Sequence, residues 1–209
     1  MLTKKQVNLL NVFQTPFEEL TFKQIKERSE EKSNNLLQLA LKDFKNNNII
    51  LSKKIGSTYI HKLNLENKST LIYLDLINQN HSLHMPLLEN IELSLKTITP
   101  FFILIVFGSY AKKKNRKSSD LDVAILINDA SQKKDIEIIM ETIKRRELQK
   151  IDSHIITLNE FKEMLNSEYE NLGKQIYKNN VAYYGHQTYV ELLKWMTKQN
   201  YLFKEQKMN

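Results

Sequence analysis

Apolar side chains recur every three to four positions through the first part of the chain, the spacing of one helix face. Residues 3–14 place Val7, Leu10 and Phe13 in this way, with Pro16 closing the segment. Thr21 can cap a short helix that carries Phe22 and Ile25 and runs to about Arg28. Ser33 caps a third helix through about Lys45, holding Leu36, Leu37, Leu39, Ala40, Leu41 and Phe44. The pattern changes after the polar turn Asn46-Asn47-Asn48, where NIILSKK and STYIHKLN read as two strands joined around Ile55-Gly56.

Residues 65–84 return to helical spacing, with Ser69 or Thr70 near the start and Leu71, Ile72, Leu74 and Leu76 inside. Pro86 suits the first turn of another helix, whose apolar stripe is Leu87, Leu88, Ile91, Leu95 and Ile98; Pro100 stops it. FFILIVF (101–107) is a short unbroken run of β-branched and aromatic residues, the pattern of a strand buried on both faces. LDVAILI (121–127) and IDSHIIT (151–157) are further strands, and 131–147 is a charged amphipathic helix between them. The remainder reads as helical, over 158–166, 168–179 and about 186–203, with Gly185 as the break before the last. The expected class is α+β, and the expected division is 1–65, a connecting helix at 66–84, and a second domain at 85–209.

Composition narrows the chemistry. The 209 residues contain no Cys, which removes disulfides, Cys-ligated zinc and a thiol nucleophile. The longest apolar run, Phe101 to Phe107, is far short of the roughly 20 residues a membrane helix needs. The N-terminal MLTKKQVNLL lacks a signal-peptide core, so a cytoplasmic protein with no membrane partner is expected. The formal net charge of +7 is concentrated in residues 1–64 and in the run KKKNRK at 112–117. Basic patches attract polyanions, whereas a solvated Lys-rich surface accounts for the same totals. There are four Gly, at 56, 108, 173 and 185, so each is expected where the backbone requires it; Gly173, inside a helical stretch, has no evident role.

The stretch from Phe101 to Ile127 carries the chemistry. A buried strand ends at Gly108-Ser109, a spacer follows, and Ser119-Asp120-Leu121-Asp122 opens the next strand. Gly108 lets the chain turn and lets an anion approach the backbone, and Ser109 offers a hydroxyl and an N–H at the start of a helix. Asp120 and Asp122 stand two apart on a strand, so their carboxylates project from one face. Such a pair repels unless a cation joins it, and hard oxygen donors suit Mg²⁺. His154 lies two residues beyond Asp152 and shares its face, open to a structural role or to proton transfer. His81 and His84 stand at i and i+3 with no third ligand apparent, and Tyr183, Tyr184 and Trp195 read as packing aromatics or stacking platforms.

The run FFILIVFGSYAKKKNRKSSDLDVAIL resembles the nucleotidyltransferase superfamily that includes DNA polymerase beta, and especially its minimal members. Lys113 stands where many of them have a spacer Gly. The resemblance implies a short mixed sheet with helices and a C-terminal helical extension. It implies a Mg²⁺-dependent transfer of a nucleoside monophosphate from an NTP, ATP foremost, to a hydroxyl on a protein or RNA acceptor. Asp120, Asp122 and Asp152 would hold two Mg²⁺ ions, with Asp152 helping to deprotonate the acceptor. Gly108, Ser109, Ser119 and Lys112 would contact the nucleotide. Minimal members also occur as toxin–antitoxin components, so a toxin partner is among the acceptors it implies.

Three helices followed by a hairpin within about 62 residues is the order of a winged helix-turn-helix, placing Lys53 and Lys54 at the hairpin tip. Lys42 and Lys45 on the third helix, with Asn34, Asn35 and Gln38, make duplex DNA a candidate partner. Winged helices also dock proteins. A rival from another class is therefore a DNA-binding transcriptional regulator whose transferase domain senses nucleotide or binds a partner.

Overall fold

Several helices begin at a side chain able to hold their first free N–H groups, which is why their starts are sharp. The computed structural model describes residues 2–13, 17–81, 85–112, 114–116 and 119–198, and not the side chains of residues 80, 81 and 198. Pro16, His84, Lys113 and the expected end of the last helix lie outside the described residues, as does the His81 side chain. The chain divides into two compact units, Met1–Asn80 and His81–Asn209.

In the first unit, Thr3 and Gln6 form a reciprocal capping box that starts α1 (Lys4–Leu10), burying Val7, Leu9 and Leu10. A two-residue strand β1 (Leu20–Thr21) leads directly into α2 (Phe22–Ser29), where Thr21 and Gln24 repeat the capping box. Ser33 caps α3 (Asn34–Asn46), whose inner face buries Leu37, Ala40, Leu41 and Phe44. β2 (Ile50–Ile55) and β3 (Thr58–Leu63) pair antiparallel, and β1 adds on the other side of β3. The register pairs Lys53 with Ile60 and Lys54 with Tyr59, so both lysines sit within β2 on opposite faces. Pairing continues to Ile55 opposite Thr58 and leaves a two-residue turn, so the lysines flank the hairpin tip instead of forming it. The helix expected from residue 65 begins later, as α4 (Lys68–His81), because Asn67 Oδ1 accepts the Ser69 N–H at 2.9 Å. The buried Thr70 hydroxyl donates to the Ile49 carbonyl at 3.3 Å, so α4 is packed on its own unit.

In the second unit, Pro86 opens α5 (Pro86–Leu95). β4 (Phe102–Phe107) runs into the short α6 (Gly108–Ala111), and β5 (Leu121–Ile127) follows the basic loop. α7 (Lys133–Arg146) crosses to β6 (Ile151–Thr157), which passes directly into α8 (Leu158–Asn166) through a Thr157–Glu160 capping box. α9 (Leu172–Lys178), β7 (Asn180–Tyr184) and α10 (His186–Lys198) complete the unit. The sheet order is β6-β5-β4-β7, with β5 and β6 parallel and the other pairs antiparallel.

Strand alternation splits the sheet into two faces. Leu104, Val106, Val123 and Ile125 pack on Leu88, Ile91 and Leu95 of α5 and on Ile136, Met140 and Ile143 of α7. The other face carries Ile105, Ala124 and Ile156 and is covered by α8, α9 and α10, which bury Phe161, Ile176 and Leu193. β4 is central and covered on both sides, which explains its unbroken apolar run. Strand β7 departs from the expectation of a wholly helical tail. Its five residues pair with a strand more than 70 positions upstream, a contact that local periodicity does not record. Among the described residues no helix is long and apolar enough to cross a membrane.

Gly173 acquires a reason from packing. It is buried in α9, and a Cβ there would lie 2.5 Å from Met164 Cβ in α8. That atom is fixed to the backbone, so the two helices would have to separate. Gly173→Ala should therefore cost about 1–3 kcal/mol, read as a lower urea midpoint with an unchanged slope; an unaltered midpoint would contradict this account of the packing.

Candidate active site

The site grows from the turn between β4 and α6. Gly108 has a φ of +67°, a conformation side chains rarely adopt, and a Cβ built there would fall 2.0 Å from Asp122 Oδ2. The Asp122 carboxylate thus rests on bare backbone. The Ser109 N–H donates to it, which favours the ionised form.

Register brings the second carboxylate. In the parallel β5–β6 ladder Asp122 stands directly opposite Asp152, so the two side chains share a face. Asp120, two residues before Asp122, is exposed at the mouth of β5. The Asp122 carboxyl is held above the ordinary carboxylate range, by burial first and then by the charges of Asp152 and Asp120; His154 and the Ser109 N–H offset part of this. His154 Nε2 lies 3.2 Å from Asp152 Oδ2, and its ring sits 5.9 Å from that of Phe107 at the end of β4. The imidazole is thereby tied to a carboxylate and an aromatic neighbour.

The carboxylates offer hard oxygen donors, and their mutual repulsion at Asp122 is the charge defect a divalent cation would relieve. In that sense the residues fit such an ion. Among the described residues no three metal-ligating side chains already stand as a closed cluster.

The basic loop folds back on the turn. The Lys114 N–H donates to the Ser109 carbonyl at 3.0 Å, and the Arg116 N–H to Ser119 Oγ at 2.8 Å. The Ser119 hydroxyl therefore closes the loop as an acceptor. Lys112 is exposed one residue after α6; Lys117 and Ser118 lie outside the described residues. Gln149, which nothing in the spacing marked, ties the parts together. Its Nε2 donates to the Ser119 carbonyl at 2.7 Å, and its Oε1 accepts from Tyr110 Oη at 3.3 Å. A lone Gln before a strand leaves no signal; only the meeting of α6, the loop and the start of β6 reveals it. Tyr184 stacks on Phe102 at 4.6 Å and donates to the Pro100 carbonyl at 3.2 Å, and Lys162 lies over the Trp195 ring at 4.8 Å. Both aromatics are engaged within their own unit.

Residues 89–182, from α5 into β7, match the model of the family described as Polymerase beta, Nucleotidyltransferase. The match supports the nucleotidyltransferase superfamily and a general nucleotidyl-transfer function for this part of the chain. No curated protein matches the chain.

A raised carboxyl pKa has a defined sign in stability. The native state holds the Asp122 proton more tightly than the unfolded chain, so stability falls as pH rises from the ordinary value to the raised one. With divalent ions chelated, Asp122→Asn should melt above wild type near neutral pH, by roughly 2–4 °C if the relief is about 1 kcal/mol. The gap should close as the pH falls below the ordinary carboxylate range, where wild type is protonated as well. Thermal melts across that window check it, and a gap independent of pH would contradict the charge account.

Proposed function

We propose that this protein is a Mg²⁺-dependent nucleotidyltransferase that moves a nucleoside monophosphate, from ATP foremost, to a hydroxyl on a protein or RNA acceptor. The observation that carries the reading is the placement of Asp122 against the Gly108-Ser109 backbone and opposite Asp152. Asp120, Asp122 and Asp152 would hold the metal, which supplies charge neutralisation on the triphosphate when bound. The backbone at Gly108 and Ser109, with Lys112 near by, would seat the phosphates. The acceptor hydroxyl attacks the α-phosphorus. A new O–P bond forms, the bond from the α-phosphorus to its bridging oxygen breaks, and pyrophosphate leaves with the electron pair. The hydroxyl proton passes to a carboxylate oxygen of Asp152.

Label transfer from each NTP in the presence of Mg²⁺, with tRNA or a co-purified protein as acceptor, tests this. Asp152→Ala should lower transfer by roughly 10²–10⁴-fold, and Asp120→Ala/Asp122→Ala by at least as much. Equal transfer by wild type and the double variant would remove the catalytic assignment.

A second reading concerns the first unit. We propose that residues 1–65 form a winged helix that binds duplex DNA, with 66–84 as the connecting helix and 85–209 as the transferase domain. What supports it is the run of α1, β1, α2, α3, β2 and β3, with Lys42, Lys45, Lys53 and Lys54 all exposed. Lys53→Glu/Lys54→Glu should weaken a gel shift on duplex DNA and lower its salt slope by about 2; an unchanged slope would move the assignment towards protein docking.

A further inference from the structure

Strand β6 ends the sheet, and its outer edge is regular. Seven consecutive residues pair with β5 without a bulge, and the strand contains neither Pro nor Lys, the usual devices that blunt an edge. The Leu121 N–H donates to the Lys150 carbonyl at 2.8 Å, which sets the phase of the ladder. Asp152, His154 and Ile156 therefore bond towards β5, while the N–H and C=O groups of Ser153 and Ile155 point outward. At the far end the Thr157 N–H is already taken by Glu160 Oε2 at 2.7 Å.

This edge does not open onto a bare surface. It forms the wall of a cleft of about 370 Å³ between α7 and α8, floored by Met140, Ile156 and Met164. The rim carries two lysines, and both are paired: Lys133 with Glu160 and Lys144 with Glu141, each at 3.0 Å. Glu137 adds a third carboxylate. The cleft thus lacks the unpaired cations that a phosphate backbone needs, and beside the Glu137 carboxylate and the Ser153 side chain it offers the main-chain groups of the β6 edge.

We propose that the acceptor of the transfer is a protein segment that adds to the free edge of β6 as an extended strand and presents a Ser, Thr or Tyr hydroxyl beside Asp152. The proposal rests on the nucleotidyltransferase reading and selects the protein acceptor from its two classes. Residues directly opposite each other in a sheet point to one face, with Cβ atoms about 4.5–5.5 Å apart. A hydroxyl residue opposite Asp152 therefore arrives on the carboxylate face, while its neighbours on the added strand alternate towards α7. Backbone pairing supplies affinity and the cleft supplies side-chain selection, the usual division in strand addition.

The test uses the full-length protein and a degenerate library of peptides about as long as β6 itself, seven residues, with Tyr, Ser or Thr fixed at the centre. Amide exchange at Ser153 and Ile155 is read with and without the library. The expected result is about tenfold protection at both amides, the effect of one or two added backbone hydrogen bonds. The same library N-methylated at alternate residues should give none. Ile155→Pro removes an outward N–H, and its fixed φ is tolerated on an edge strand, so it should weaken library binding about tenfold while leaving nucleotide binding within about twofold. Absent protection, equal protection by the N-methylated library, or protection by single-stranded RNA instead would overturn the proposal. The exchange readout needs no turnover, so failure of the transferase reading alone would leave the protection in place.

Discussion

The second unit is organised around one close approach, the Asp122 carboxylate lying on the backbone of Gly108. A side chain at residue 108 would occupy the space of a carboxylate oxygen, and the left-handed φ there would strain it as well. This contact locks the end of β4 to the start of β5 and aims the Ser109 N–H at the same carboxylate. The Gly108 turn and the acidic pair are therefore a single device.

The sheet supplies the rest by register. Parallel pairing of β5 with β6 is what sets Asp152 opposite Asp122, and a slip of one residue would send Asp152 to the α5–α7 face. Two apolar layers guard against that slip. Val123 and Ile125 are fully buried on one face and Ala124 and Leu126 on the other, so a one-residue shift of β5 would put the small Ala124 where a larger branched side chain fills the core and leave a void. Carboxylates gathered in this way oppose one another, and their charges add to burial, the larger cause, in raising the proton affinity of Asp122. The fold tolerates it because β4 and β5 bury almost every other side chain they carry.

Much of this was legible along the chain. Thr21 and Ser33 announce their helices because a cap acts within three residues, and both caps form. FFILIVF announces a central strand because burial on both faces forbids polar interruptions, and β4 is central. Gly108-Ser109 and Asp120-x-Asp122 stand out because turn chemistry and strand alternation are short-range rules. β7 was not legible: Asn180–Tyr184 is too short for a period, and its partner lies far upstream in β4. Gln149 was hidden for the same reason, since two of its partners, Tyr110 and Ser119, come from distant segments.

The sequence by itself thus determined the local elements and the residue types able to bind an anion and a cation. Both follow from interactions between near neighbours. Only the tertiary structure decided that Asp152 faces Asp122, that Gly173 must be bare for α9 to meet α8, and that β6 keeps an open edge inside a cleft. Those depend on register and on packing between distant segments, which are set by the joint burial of two sheet faces and by no stretch of chain alone.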